Sequence, residues 1–542
     1  ILFIFNFAIF RIIKGVTFMD KIRIKNLRAL NDTGNISIKP LTILLGKNSI
    51  GKSTFLRTFP LFKQSLRLKR SEPILWYSPQ LVDFGSFKDS ISDNKTNNTI
   101  DFEFLFKVHQ KDIKKSLLFS RFTFKRNFRP IDKEEEISLK VCFDSKEISR
   151  VEIQIFDYSI SFNSTNANIS NLIINNMEVK NVDFHFIKNT YLNEELIPQL
   201  IYKNEKENYL SRRKSFSKYI ETKLYDEIKK IKNGRIGEKK IKDIIENLPL
   251  NTREVFVKEF EELISSSKIM TEKYEKLESE KKSELLDNLY NINGCFYLNS
   301  FLNIVNSYLD DYFKNSQYIA PIRASAERYY RIQGLSVDEI APQGENIPMI
   351  LRNLSKVEQE NWEKWTRENF GVEFKVREKE SNISINLVKN EKEINLADTG
   401  FGYSQLLPLL VYCWRLVQKS NKRKRNFLSR SQPIQTLIIE QPELHLHPAL
   451  QSQLLEVFVE LLYLMNKECK FSIIIETHSE TLINYLGYLI AKKESKIKSD
   501  EVNILLFEES ENKTNIREVS YSEEGYLNNW PYDFFIPKGR EN

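Results

Sequence analysis

The run Gly46-Lys47-Asn48-Ser49-Ile50-Gly51-Lys52-Ser53-Thr54 constrains this chain more than any other feature. It follows the apolar stretch Leu41-Thr42-Ile43-Leu44-Leu45 and opens an amphipathic segment, so it reads as a strand, a tight loop and a helix start. The spacing G-x-x-x-x-G-K-S aims consecutive backbone N–H groups and a helix N-terminus at one point, where phosphate oxygens satisfy them. In such a loop Lys52 neutralises the terminal phosphates and Ser53 offers a hydroxyl to magnesium, while Gly46, Lys47, Asn48, Ser49, Gly51 and Thr54 complete the cradle. The expected ligands are ATP and Mg2+. A glycine-rich turn with no ligand is the competing reading.

A phosphate loop needs a strand that brings a carboxylate to the metal, and Thr436-Leu437-Ile438-Ile439-Glu440-Gln441-Pro442-Glu443 supplies one. Glu440 ends an apolar strand, where it is expected to hold the magnesium shell opposite Ser53. The next position is where a carboxylate polarises the attacking water, and here it is Gln441, with Glu443 two residues on. A second apolar strand, Phe471 to Glu476, runs into Thr477-His478-Ser479. His478 reads either as a sensor of the terminal phosphate or as an ordinary loop histidine. Between loop and acidic strand, Leu396-Ala397-Asp398-Thr399-Gly400-Phe401-Gly402-Tyr403-Ser404-Gln405 leads into an apolar helix, Leu406 to Val417. Gly402, Ser404 and Gln405 suit phosphate capture at a helix start; the alternative is a plain loop with Ser404 as N-cap.

The order of these parts resembles the ABC-type ATPase head, and that resemblance implies that the Gly402–Gln405 segment completes the nucleotide site of a second copy, giving an ATP-sandwich dimer or larger assembly. Lys21 to Leu30 resembles the opening strand of OLD-like and Rad50/RecF-like ATPases, and Glu440 to Pro448 and Glu476 to Glu480 resemble the OLD-like group. Val82-Asp83-Phe84-Gly85-Ser86-Phe87, Tyr318-Ile319-Ala320-Pro321-Ile322-Arg323 and Trp530-Pro531-Tyr532-Asp533-Phe534-Phe535 resemble the PtuA ATPases of Septu and retron anti-phage systems. That likeness implies control of a separate HNH-type nuclease and, in a retron, association with a reverse transcriptase and its DNA–RNA product. The alternative is a RecF/Rad50-like ATPase of DNA repair or DNA bridging. A transporter ATPase fits less well, since the acidic motif and large insert are atypical of one and no membrane segment is evident. OLD nucleases carry a further nuclease domain rich in metal-binding carboxylates, and no Asp-x-Asp follows His478. The chain is therefore expected to act through another polypeptide. With Gln441 in place of a catalytic glutamate, hydrolysis is expected to be slow.

Composition agrees with a large cytoplasmic α/β protein of more than one structural unit. Its 4 cysteines form no C-x-x-C pair and its 5 histidines no ligand cluster, so neither a disulfide framework nor a zinc site is indicated. His445 and His447 read as turn and dimer-facing residues. The net charge of +8 is spread over 81 basic and 73 acidic residues. Clusters at Lys63 to Arg70, Arg212-Arg213-Lys214 and Lys422 to Arg425 are candidates for nucleic-acid contact or simply solvated faces.

The expected architecture is a P-loop NTPase, an ABC-type ATPase head with an antiparallel β-meander lobe and an inserted helical region. Residues 1–18 read as an N-terminal extension, possibly not native. Residues 19–192 hold the phosphate loop and the meander, the latter signalled by the alternation in Phe102-Phe104-Phe106, Val151-Ile153-Ile155 and Phe184-Phe186. Residues 193–315 turn helical, with the stripe Phe216, Ile220, Leu224, Ile228 and a capping box of Asn251 and Glu254; this insertion covers the sheet or docks a partner. Residues 316–542 return to the ATPase head.

Overall fold

The computed structural model describes residues 18–92, 98–111, 113, 133–179, 184–186, 195–202, 209–232, 236–333, 339–425, 436–467, 471–510, 513–531 and 534–535. The N-terminal extension falls outside them except for residue 18, as do Tyr532, Asp533 and the side chains of Arg212, Arg213, Lys214 and residues 422–425. Contacts divide the chain into two compact units, Ile1–Asn26 with Ser65–Leu75 and Asn94–Lys314, and Leu27–Gln64 with Trp76–Asp93 and Asn315–Asn542.

The first unit is built on the antiparallel meander. Across its sheet run Leu200–Tyr202, Phe184–Phe186, Asn168–Ile174, Tyr158–Thr165, Ile148–Ile155, Glu134–Phe143, Ile100–His109 and Phe18–Leu27, each antiparallel to the next. A strand turns successive side chains to opposite faces, so the alternating sequence buries Phe102, Phe104 and Phe106 on one face and leaves Asp101, Glu103 and Lys107 partly in water. The buried face is covered by the helices Ser279–Phe296 and Leu298–Lys314: Phe104 meets Phe313 at 5.7 Å, Phe106 meets Tyr308 at 6.0 Å, and Tyr158 stacks on Tyr290 at 4.1 Å.

The helical stripe of the sequence is buried at Ile220, Leu224 and Ile228, on the helix Tyr209–Lys229. The capping box does not form. The helix bearing Phe256 and Phe260 spans Arg253–Ser265, so Thr252 is its N-cap, one residue later than the box requires, and the Asn251 carboxamide oxygen accepts from the Thr252 N–H at 2.8 Å.

The second unit holds a seven-stranded sheet in the order Ser316–Ile319, Thr436–Glu440, Ser472–Glu476, Leu41–Gly46, Val502–Ser510, Lys513–Tyr521, Leu527–Asn528. The first five are parallel and the last two antiparallel. Parallel strands are covered on both faces, which is why Leu41–Gly46, Thr436–Glu440 and Ser472–Glu476 are buried at every position and read as unbroken apolar runs. In this register Glu440 pairs with Glu476 and Glu476 with Leu44, so both carboxylates emerge at the edge from which the phosphate loop departs.

A small antiparallel sheet precedes the Gly402 segment: Tyr330–Arg331, Asn382–Lys389 and Glu373–Lys379, with Lys392–Asn395 on the other edge of Asn382–Lys389. Beside it lies the helix Lys356–Phe370, opened by a Ser355–Glu358 capping box and closed by Gly371 in the left-handed region. Its Trp362 is buried, donates to the Phe374 carbonyl at 3.1 Å and meets Trp414 edge-on at 5.5 Å. Among the described residues no helix is long and apolar enough to cross a membrane.

Candidate nucleotide site

The loop from Gly46 to Lys52 joins its strand to the helix Lys52–Arg67. Two glycines make the turn possible. Gly46 sits at φ +147°, where a Cβ would lie 2.5 Å from the Phe507 carbonyl oxygen, and Gly51 at φ +100°, where a Cβ would meet Leu30 at 2.7 Å. Lys47, Asn48 and Ser49 are exposed at the rim, and Lys52 is buried, its ammonium donating to the Lys47 carbonyl across the loop. Burial lowers the Lys52 pKa, partly offset by the Glu476 charge. Ser53 and Thr54 are half-buried at the helix start.

Glu440 and Glu476 end adjacent parallel strands. The carboxylate next to Ser53 is Glu476, whose Oε1 accepts from the Ser53 hydroxyl at 2.8 Å. Glu440 lies one strand further away and is held by Arg57, which donates Nε–H to Oε1 at 2.7 Å and Nη2–H to Oε2 at 2.8 Å, and by the Tyr318 hydroxyl, which donates to Oε1 at 2.7 Å. This bidentate pair raises the Arg57 pKa, and burial together with Glu440 raises that of Tyr318. Burial, then the Glu440 charge, pushes the Glu476 carboxyl up to about 7. Its Oε2 is buried and has no hydrogen-bond partner.

Gln441 follows in the left-handed region at φ +43°, its N–H donating to the Glu476 carbonyl at 2.8 Å. A non-glycine residue held there is locally strained. Glu443 is half-buried, accepts from the His478 N–H at 2.7 Å, and has its other oxygen buried without a partner; burial raises its pKa. The His478 ring lies at the surface, its pKa lowered by partial burial and then by the Lys52 charge. His445 is exposed with its ring 5.8 Å from Phe401, and His447 is the N-cap of the helix Pro448–Asn466, its Nδ1 accepting from the Ala449 N–H at 3.2 Å.

The segment Gly402–Gln405 lies inside a helix, Phe401–Arg425, that starts earlier than the apolar run, so Ser404 is not its N-cap. Phe401 is 61% exposed and Gly402 partly so, whereas Ser404 and Gln405 are buried. Gln405 is tied to the backbone of Arg323, accepting from its N–H at 3.0 Å and donating to its carbonyl at 2.9 Å. Arg323, itself 1% exposed, donates to the carbonyls of Glu440 at 3.1 Å and Gln441 at 3.3 Å. Burial lowers its pKa to about 10. Through Arg323 the Gly402 helix is hydrogen-bonded to the end of the acidic strand.

Four of these residues carry no role legible in the sequence: Arg57, Tyr318, Arg323 and Glu476. Arg57 lies four residues after Ser53, one helical turn on, and so shares its face; Glu476 has the same strand-end register as Glu440. Those were the available signals. The basic run Lys63 to Arg70 is not one exposed patch. Lys63 is buried and donates to the Ser316 carbonyl at 2.5 Å and to Glu339, and Arg70 donates to the carbonyls of Pro73 at 2.9 Å and Glu195 at 2.8 Å.

The donor set fits magnesium. Ser53 and the strand-end carboxylates offer hard oxygens, one of them an orphaned buried atom, and among the described residues no group of three or more His, Cys, Asp or Glu side chains converges as a metal cage. Magnesium bound with phosphates needs only one or two protein oxygens, the rest of its shell being phosphate and water. Bound there it would neutralise charge on the phosphate oxygens.

No curated protein matches the chain. Solved structures similar to it include the Smc head domain with an extended coiled coil, bound to the C-terminal domain of ScpA, from Pyrococcus furiosus (12% identity over 93% of this chain and 96% of that one, TM-score 0.34). Another is the Smc head bound to the C-winged helix domain of ScpA (9%, 93% and 98%, TM-score 0.34), and a third the SMC head domain of Thermotoga maritima (9%, 92% and 98%, TM-score 0.33). Residues 18–483 match the AAA ATPase domain. With its phosphate loop, acidic strand and histidine strand on adjacent parallel strands, the chain belongs to the AAA ATPase domain family.

Proposed function

We propose that this chain is an ATP-binding regulatory ATPase of a prokaryotic anti-phage defence system, one that forms nucleotide-sandwich dimers and controls a separate HNH-type nuclease. The observation that carries the regulatory part is Gln441. It occupies the turn directly after the acidic strand, its N–H bonded to the Glu476 carbonyl, and a carboxamide cannot take a proton from water at neutral pH. Glu443 and His478 are then the remaining groups for orienting water, and ATP stays bound long enough to report its presence. In this reading Lys52 and the N–H groups of residues 46–54 hold the phosphates, and Ser53 with a strand-end carboxylate holds Mg2+. Phe401 and Gly402 meet the second copy, while Ser404 and Gln405 support them from beneath. The defence role and the nuclease partner are supported by the likeness of residues 82–87, 318–323 and 530–535 to PtuA ATPases; a retron reverse transcriptase and its nucleic acid are further partners on the same ground.

Steady-state hydrolysis by the purified protein tests the switch. The wild type should turn over slowly, and Gln441→Glu should raise the rate by about 10²-fold, the usual contribution of a positioned base. Rapid turnover by the wild type, or no gain in Gln441→Glu, would count against it. Co-expression with an HNH nuclease encoded beside this chain tests the partner, which should cut or poison only with Lys52 intact.

A further inference from the structure

The start of the helix Phe401–Arg425 touches the turn after the acidic strand at two depths. At the surface, the Phe401 ring lies 5.8 Å from the His445 ring, and a Cβ on Gly402 would stand 3.0 Å from the His445 carbonyl oxygen. Deeper in stands Arg323. Its backbone is held by the Gln405 carboxamide, which accepts from the N–H at 3.0 Å and donates to the carbonyl at 2.9 Å. Its Nη2 donates to the carbonyls of Glu440 at 3.1 Å and Gln441 at 3.3 Å. The rest of the guanidinium is poorly satisfied, since Nε and Nη1 are buried without a hydrogen-bond partner. Such a charge is costly where an apolar side chain would fill the space at no such cost, so stability alone does not account for an arginine here. Of the charges around it, Glu443 attracts it most, and Glu443 holds the far end of the same turn by accepting from the His478 N–H at 2.7 Å.

We infer that Arg323 is a positioning residue: it ties the turn bearing Gln441 and Glu443 to the start of the Phe401–Arg425 helix, so that contact with a second copy at that helix start governs how fast bound ATP is hydrolysed. This rests on the proposed ATP-dependent self-association. Arginine suits the task because its planar fork bridges two carbonyls at once, whereas lysine donates from a single point. Gln405 completes the link on the helix side, and the carbonyls of Glu440 and Gln441 complete it on the side of the turn.

Single-turnover hydrolysis of radiolabelled ATP by the full chain tests this, at one protein concentration where sedimentation shows monomers and one where it shows association. The wild type should hydrolyse faster when associated. Arg323→Lys, which keeps the charge but loses the fork, should associate in ATP as the wild type does yet lose about tenfold or more of the associated rate, because misplacing a reacting group by about 1 Å can cost about 10²-fold. Gln405→Leu, which releases the Arg323 backbone and leaves its side chain in place, should lower the associated rate likewise, and it carries the test if Arg323→Lys does not fold. Two residues acting through one link lose that link once, so the double variant should be no slower than the slower single variant. An associated rate within about twofold of wild type in the folded single variants, or losses that multiply in the double variant, would overturn the inference. So would a wild type that associates in ATP and hydrolyses no faster for it. A wild type that does not associate in ATP would overturn the proposed self-association, and the inference with it.

Discussion

At the scale of single residues, the site is organised by what each carboxylate is given to hold. Glu440 is 2% exposed, and Arg57 and Tyr318 satisfy its oxygens. Removing the guanidinium leaves a buried anion unpaired, so Arg57→Ala should destabilise the folded unit by about 3 kcal/mol. Tyr318→Phe deletes one hydrogen bond and should cost only about 1 kcal/mol. Thermal unfolding of the two variants measures this order, and a Tyr318→Phe loss equal to that of Arg57→Ala would show that the pair is not what holds Glu440.

At the scale of elements, the helix Phe401–Arg425 connects the site to the surface. Its buried side is clamped by Gln405 to Arg323, and its start presents Phe401 to solvent beside His445. An exposed aromatic at that point suits an interface, so Phe401→Glu should weaken ATP-dependent self-association at least about tenfold in sedimentation while leaving unchanged the ATP affinity measured at dilutions where the protein is monomeric. Unaltered association would place the interface elsewhere. Further along, Trp414 packs on Trp362, and Trp362→Ala should destabilise the unit by about 3 kcal/mol in denaturant unfolding, since it empties a large buried site and orphans the Phe374 carbonyl. A change below about 1 kcal/mol would mean that the small sheet and the helix are not packed as one body.

At the scale of the molecule, what the sequence made legible follows the range of each signal. The phosphate loop, the two apolar strands and the meander declare themselves by local pattern, because parallel strands are apolar throughout and half-buried strands alternate. The partners of Glu440 do not, because Arg57 and Tyr318 reach it from 383 and 122 positions away in the chain. The small sheet at residues 330–395 leaves no such trace: Glu373–Lys379 buries only Phe374, Lys392–Asn395 buries no residue, and neither carries much apolar periodicity. Long-range polar bonds leave no periodic trace, so Glu476 became distinguishable from Glu440 only when the strand order was known.

On the proposed function, ATP held through Lys52 drives this chain to associate with itself. Sedimentation velocity of the wild type and of Lys52→Ala, each with and without ATP and magnesium, tests it most directly. A faster-sedimenting species is expected in the wild type only when ATP is present, and none in a folded Lys52→Ala, which lacks the charge that neutralises the terminal phosphates. A wild type that sediments identically with and without ATP, or a Lys52→Ala that responds to ATP as the wild type does, would contradict it.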